Sequence, residues 1–236
     1  MPQRPWAKRL LRWLKWLCLS WLAISIGAVL LLRWVDPITS TFMLRDRLVA
    51  WQSGDKNYHF VHQWVAWPRI SIPAKVAVIA AEDQNFPDHH GFDFDSMRKA
   101  WRANQKGRKI RGGSTLSQQV AKNLFLWPGR SYVRKGLEAY FTVLIEALWP
   151  KQRILEVYLN SAEFGRGVFG VAAASQRYFG RSAATLTTQQ AALLAAVLPA
   201  PKRYQVNHPS AYLRARQNWI ANQMTHLGGA SLLTKL

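Results

Sequence analysis

The chain of 236 residues has an apolar fraction of 49%, enough for one buried core plus an appendage, which excludes an intrinsically disordered protein. Its 32 Lys and Arg against 12 Asp and Glu give a formal charge of +20 and predict attraction to a polyanion: nucleic acid, an anionic membrane surface or a phosphorylated substrate. The lone cysteine, Cys18, excludes an intramolecular disulfide, and its place inside an apolar run marks it as lipid-facing rather than nucleophilic.

That apolar run is the first element. Residues 16–32 carry no charge and are bounded by Lys15 and Arg33, whose long stems can reach back to headgroups, so the segment is just long enough to span a bilayer. Trp6, Trp13, Trp16, Trp21 and Trp34 supply interfacial aromatics around it. A cleaved signal peptide is the competing reading, but the run is long for one and no small-x-small site follows before Arg33. Arg4, Lys8, Arg9, Arg12 and Lys15 precede the span, which by the positive-inside rule keeps the N-terminus cytoplasmic and sends the rest across. The expected organisation is a basic cytoplasmic tail at 1–15, a single-pass anchor at 16–33 and a membrane-proximal connecting region at 34–70. A folded domain at 71–226 and a tail at 227–236 complete it.

The connecting region carries Pro37, a Ser53-Gly54-Asp55 turn signal and the aromatics Tyr58, Phe60, Trp64 and Trp67, and gives no firm secondary-structure reading. From there the pattern is helical. Residues 74–83 open behind Pro73 with Val76, Ile79 and Ala80 at helical spacing, which puts Glu82 near a helix C-terminus. Further helices are predicted at 94–105, 114–125, 133–149, 151–160, 188–198 and 211–224. Thr187 with Gln190 forms a capping box, and Pro199 and Pro201 stop a helix that is apolar all round and hence buried. No segment alternates like a strand, so the fold class is mainly α.

Four constellations could carry chemistry. Glu82-Asp83 with Phe86, His89 and Gly91 places an acidic pair at a helix end beside a glycine turn; the alternative is a solvated helix end, although a carboxylate there faces an unfavourable dipole. The run from Arg111 to Asn123 sets Gly112 and Gly113 before Ser114, Thr115, Ser117, Gln118, Gln119 and Lys122, a loop and helix start suited to phosphate or simply an ordinary N-cap. Arg134, Lys135 and Glu138 share a helix face as an anion-binding group or as a surface ion pair. The amphipathic run from Lys151 to Asn160 looks mainly structural, with Glu156 bracing the core.

Other patterns are decoys. Gly165-x-Gly167-x-x-Gly170 matches a dinucleotide fingerprint, but a helix precedes it and no acidic residue follows about 20 residues on. Ser53-x-x-Lys56 and Ser96-x-x-Lys99 lack the companion elements of an acyl-transfer site, and His59, His62, His89 and His90 lack the partners of a zinc site.

Taken in order, Glu82-Asp83-x-x-Phe86-x-x-His89-x-Gly91, the string from Gly112 to Phe125, Arg134-Lys135-x-x-Glu138 and the run from Lys151 to Asn160 resemble the signatures of the family 51 glycosyltransferases, the peptidoglycan transglycosylases, over residues 70–205. Ser117 departs from the family's usual threonine but keeps the hydroxyl. The resemblance, closest to the monofunctional biosynthetic type, implies a lysozyme-like helical glycosyltransferase domain with a small membrane-proximal lobe. It would be anchored in the bacterial inner membrane with its catalytic domain periplasmic. It implies lipid II and the growing lipid-linked strand as substrates, with membrane lipids and the cell-wall synthesis machinery as partners and no nucleic acid. Glu82 is then the general base and Glu138 a second motif glutamate orienting the cations or a substrate hydroxyl. Ser114, Thr115, Gln119, Lys122, Arg134 and Lys135 become contacts to the donor pyrophosphate and sugar. A divalent cation such as Mg2+ near Glu82 and Asp83 is allowed, and no organic cofactor is expected. The alternatives are a lysozyme-like lytic transglycosylase, which would characteristically carry serine where Asp83 stands, and a membrane-tethered polyanion-binding protein.

Overall fold

A computed structural model describes residues 5–105, 113–129 and 131–236. The chain divides into two compact units, Met1–Asp36 and Pro37–Leu236.

The first unit is built on helix α1 (Pro5–Leu31), whose stretch Lys8–Leu31 is long and apolar enough to cross a membrane. Leu10, Leu11, Trp13, Leu17 and Ile24 are all exposed along it. The helix differs from the expected span at both ends. It takes Lys8, Arg9, Arg12 and Lys15 into its first turns, because after Pro5 the sequence holds good helix formers and nothing that breaks a helix, and it stops at Leu31, leaving Arg33 in the following turn. Arg4 of the basic tail lies outside the described residues.

In the second unit the elements are α2 (Thr41–Gln52), β1 (Val61–His62), α3 (Ile72–Glu82), α4 (Phe94–Gln105), α5 (Leu116–Phe125), α6 (Tyr132–Leu148) and α7 (Lys151–Ser161), then β2 (Glu163–Gly165), β3 (Val168–Phe169), α8 (Val171–Phe179), α9 (Thr188–Val197) and α10 (Ala211–His226). The mainly α expectation is met. Helix α3 is the axis of the core. Ser71 caps it by accepting from the Ala74 N–H at 3.2 Å, and the run from Ala74 to Ala80 is buried on every side, against α9 and α10 among others. Helix α9 is buried from Ala191 to Val197 and opens with the capping box of Thr187 and Gln190. A second layer packs α5 on α6 and α7.

Residues 37–70 are part of this body rather than a loose connection. The Thr41 hydroxyl donates to the Asn123 and Leu126 carbonyls at 2.9 and 2.6 Å, closing the C-terminal end of α5. Asp46 accepts from Tyr58 at 2.8 Å and pairs with Lys202. Trp67 N–H donates to Glu156 at 2.6 Å, and Val65 exchanges two backbone bonds with the Asn160 amide. Glu156 therefore braces the core, as its sequence context suggested. The expected C-terminal tail is also docked: a 3-10 helix at Gly229–Lys235 packs on α3 with Leu232 buried.

Strands β1, β3 and β2 form a small sheet in that order, parallel then antiparallel, and each is too short to give an alternating signal. The Gly-x-Gly-x-x-Gly run forms this hairpin and the start of α8, where each glycine is required by a neighbour. A Cβ on Gly165 would meet the Tyr178 hydroxyl, and one on Gly167 the His59 carbonyl. Gly170 has φ +84°, and its Cβ would lie 2.8 Å from the Asn160 carbonyl oxygen. Gly170→Ala is therefore expected to destabilise the fold by about 1–3 kcal/mol, read as a lowered denaturant midpoint in detergent.

Candidate active site

The Glu82 carboxylate sits on the last residue of α3, where the helix carbonyl ends disfavour negative charge. Burial raises its pKa above the usual carboxylate range; the Gln119 hydrogen bond, Arg216 and Lys122 oppose that rise, while Asp83 adds to it. Gln119 Nε2 donates to Glu82 Oε2 at 3.0 Å, and the fully buried Tyr158 hydroxyl donates to Gln119 Oε1 at 3.2 Å. The tyrosine thus fixes which way the amide points, and the amide holds the base. On the other side, Arg216 from α10 brings Nη2 to 3.8 Å from Glu82 Oε1.

Asp83 has a different task. One of its oxygens accepts from the Leu116 N–H at 2.9 Å, at the positive end of α5, and His89 Nε2 lies 3.0 Å from both. His89 Nδ1 accepts from the Gly91 N–H at 3.1 Å, which assigns the proton to Nε2. The His89 carbonyl accepts from Lys151 at 2.5 Å, and Lys151 pairs with Glu146 at 2.9 Å. Glu146 also accepts a hydrogen bond from the hydroxyl of the fully buried Ser117, so the serine in place of threonine keeps a working donor.

Thr115, expected to contact substrate, lines the cleft beside Glu82 with its hydroxyl hydrogen-bonded within the fold. It is buried, donates to the Gly91 carbonyl at 2.7 Å and caps α5 in a reciprocal box with Gln118. Gln119 likewise spends its amide on Glu82 and Tyr158. Ser114 is exposed at the mouth of a cleft of about 340 Å³, lined also by Glu82, Asn85, Ser96, Lys99 and Trp219. Arg111 and Gly112 of that string lie outside the described residues.

The cations gather elsewhere around the same base. Lys122, two turns into α5, interacts electrostatically with Glu138, Arg134, Lys135 and Glu82, and burial lowers its pKa. Its ammonium lies 5.4 Å from the centre of the Phe42 ring, a contact that favours the charged form. Arg134 and Lys135 occupy the first turn of α6, where the helix dipole repels cations. Glu138 offsets this by accepting from Arg134 at 2.8 Å and Lys135 at 2.5 Å. With its side chain only 3% exposed, Glu138 is not part of a surface ion pair. One buried carboxylate thus holds two cations that the helix dipole disfavours.

The carboxylates of Glu82 and Asp83, near which a divalent cation was expected, already have protein partners. Both Asp83 oxygens face hydrogen-bond donors, and Glu82 faces Gln119 and Arg216. Among the described residues no three His, Cys, Asp or Glu side chains converge.

Arg216, Tyr158 and Trp219 escaped the sequence reading. Tyr158 lay in a run read as structural, and Arg216 and Trp219 lie on a helix more than 130 residues from Glu82 in the chain. Arg216→Met gives a direct check on the arginine. A base works only when ionised, so activity is full above the Glu82 pKa and lost as pH falls through it. Removing the guanidinium raises that pKa further, and the acid limb of the pH–kcat/KM profile is expected to move to higher pH.

A family model described as "Transglycosylase" matches residues 50–225. Proteins named "Biosynthetic peptidoglycan transglycosylase" are similar over nearly the whole chain. One from Xanthomonas axonopodis pv. citri (strain 306) is 51% identical over 229 residues, covering 96% of this chain and 93% of that protein. One from Chromohalobacter salexigens is 52% identical over 233 residues, covering 99% of each. A third, from Pseudomonas fluorescens, is 52% identical over 229 residues, covering 97% and 93%.

Proposed function

Since this chain belongs to the transglycosylase family and is a peptidoglycan glycosyltransferase, we propose that it polymerises lipid II into β-1,4-linked strands at the surface of the membrane that α1 crosses. The observation that carries this reading is one partly buried carboxylate, Glu82, within electrostatic range of Lys122, which itself interacts with Arg134, Lys135 and Glu138.

In this reaction the 4-hydroxyl of the acceptor sugar attacks the anomeric carbon of the lipid-linked strand. Glu82 takes the hydroxyl proton as the new C–O bond forms. The bond to the diphosphate breaks on the opposite face, so an α-linked diphosphate gives a β linkage. A glycosidase must protonate a poor alkoxide leaving group, whereas a diphosphate leaves readily once its charge is neutralised. Lys122, Arg134 and Lys135 supply that charge. Burial pushes Glu82 up and Lys122 down, and both shifts narrow the pH range in which base and cation are ionised together.

The basic residues Lys8, Arg9, Arg12 and Lys15 support a cytoplasmic N-terminus and a periplasmic catalytic unit. Because the substrate's polyprenyl tail keeps it in the bilayer, an anchored enzyme searches in two dimensions. The lytic alternative is not favoured, since the relatives named above are biosynthetic.

The test offers the purified full-length chain lipid II and, separately, isolated sacculi. Polymer from the first with polyprenyl diphosphate released, and no muropeptides from the second, is the expected outcome. Muropeptide release without polymer would overturn the reading.

A further inference from the structure

The cleft beside Glu82 has a wall that the reaction above does not use. Helix α10 carries Arg216 and Trp219 three residues apart, hence on one face. Arg216 reaches the Glu82 carboxylate on its Oε1 side, and Trp219 lines the cleft with its side chain about half exposed (47%). Lys122, Arg134, Lys135 and Glu138 do not line this cleft, whereas Glu82, Asn85, Ser96, Lys99 and Ser114 do. The cation group and the cleft therefore meet only at Glu82.

An indole left half in water on the wall of a polar cleft is unusual, since a ring that only packed the core would be covered. Its negative π face suits the C–H face of a pyranose, which is apolar and carries the positive end of the C–H dipoles. Hydroxyls at the rim of that sugar would meet Ser96, Ser114, Asn85 and Lys99. In an in-line displacement the base and the acceptor hydroxyl stand on one side of the anomeric carbon and the leaving diphosphate on the other; Glu82 lines this cleft and the cations do not, so the sugar in this cleft is the one that gives up the proton.

Resting on the proposed polymerase reaction, we propose that Trp219 is a substrate-binding residue, the platform on which the acceptor's sugar stacks with its 4-hydroxyl toward Glu82. The donor strand lies on the far side, over the cations.

The experiment separates acceptor from donor. A labelled lipid-linked strand whose non-reducing 4-hydroxyl is blocked can serve only as donor. Its first elongation is followed with the full-length chain at varied lipid II and a saturating strand. Trp219→Ala is expected to raise KM for lipid II about tenfold, with kcat and the KM of the blocked strand nearly unchanged. Trp219→Phe and Trp219→Tyr keep most of the affinity, while Trp219→Leu, apolar but without a ring, behaves like alanine. Trp219→Ala with an unchanged lipid II KM would overturn the proposal. So would leucine performing as well as phenylalanine, or a loss confined to the blocked strand. If the wild type makes no polymer from lipid II, the polymerase reading itself fails; a polymerising wild type with a flat Trp219 series removes only the platform.

Discussion

Glu82→Gln is expected to slow elongation of lipid II by about 10²–10⁴-fold, the range that a positioned general base contributes. The loss should fall on kcat rather than KM, because the proton moves only in the transition state. The amide occupies the same space and can still accept from Gln119, so the site keeps its shape. Stability moves the other way. Burial disfavours the ionised carboxylate in the folded chain, so a neutral amide is expected to leave the denaturation midpoint equal or higher. Lower activity together with undiminished stability separates a chemical role from a structural one. A glutamine variant that polymerised at near-normal rate while folded would remove Glu82 from the base position.

Lys122→Met is the second large effect, expected at about 10²–10³-fold in kcat, the scale seen when one preorganised group facing developing charge is lost. Methionine keeps much of the apolar stem beside Phe42 and deletes only the charge. Lys122→Arg, which restores a cation with a different shape, should recover part of the rate. Arg134 and Lys135 are each tied to Glu138, so single substitutions there leave a second cation on the same carboxylate and cost less. Single-turnover elongation measures the difference. Equal losses for Lys122→Met and Lys135→Met would mean that the diphosphate is held by the α6 pair rather than centred on Lys122. The lysine also sets an alkaline limit, since its lowered pKa means the charge is lost on raising the pH before that of an exposed lysine.

Where the chain's own spacing carries the information, the sequence is readable. The acidic pair, Lys122, the Arg134-Lys135-Glu138 group and most helices follow from short-range pattern, and in the structure Lys122 interacts electrostatically both with Glu82 and with the Arg134-Lys135-Glu138 group. What was not readable depends on partners far along the chain. Helix α2 offers no polar face to reveal its period, and α8 is short, rich in alanine and adjoins a glycine run. Thr115 could be read as a cap or as a ligand contact; the bond to the Gly91 carbonyl, which sequence could not supply, shows the cap, and the residue also lines the cleft. Arg216 and Trp219 look like ordinary members of a basic helix until α10 is seen beside the end of α3. Arg33 fell outside the helix because the expected span was bounded by charge, whereas the helix end is set by backbone hydrogen bonds.

The bond from the Leu116 N–H to Asp83 makes a strut of the second acidic residue. Glu82 is its covalent neighbour, and Lys122 stands about 9 Å along α5 from the point of attachment, six residues at 1.5 Å each. Glu82 and Lys122 are therefore tied to the same helix, one through the neighbouring Asp83 bond and the other along α5 itself. In the proposed polymerisation, each acceptor hydroxyl and each departing diphosphate would meet that one spacing.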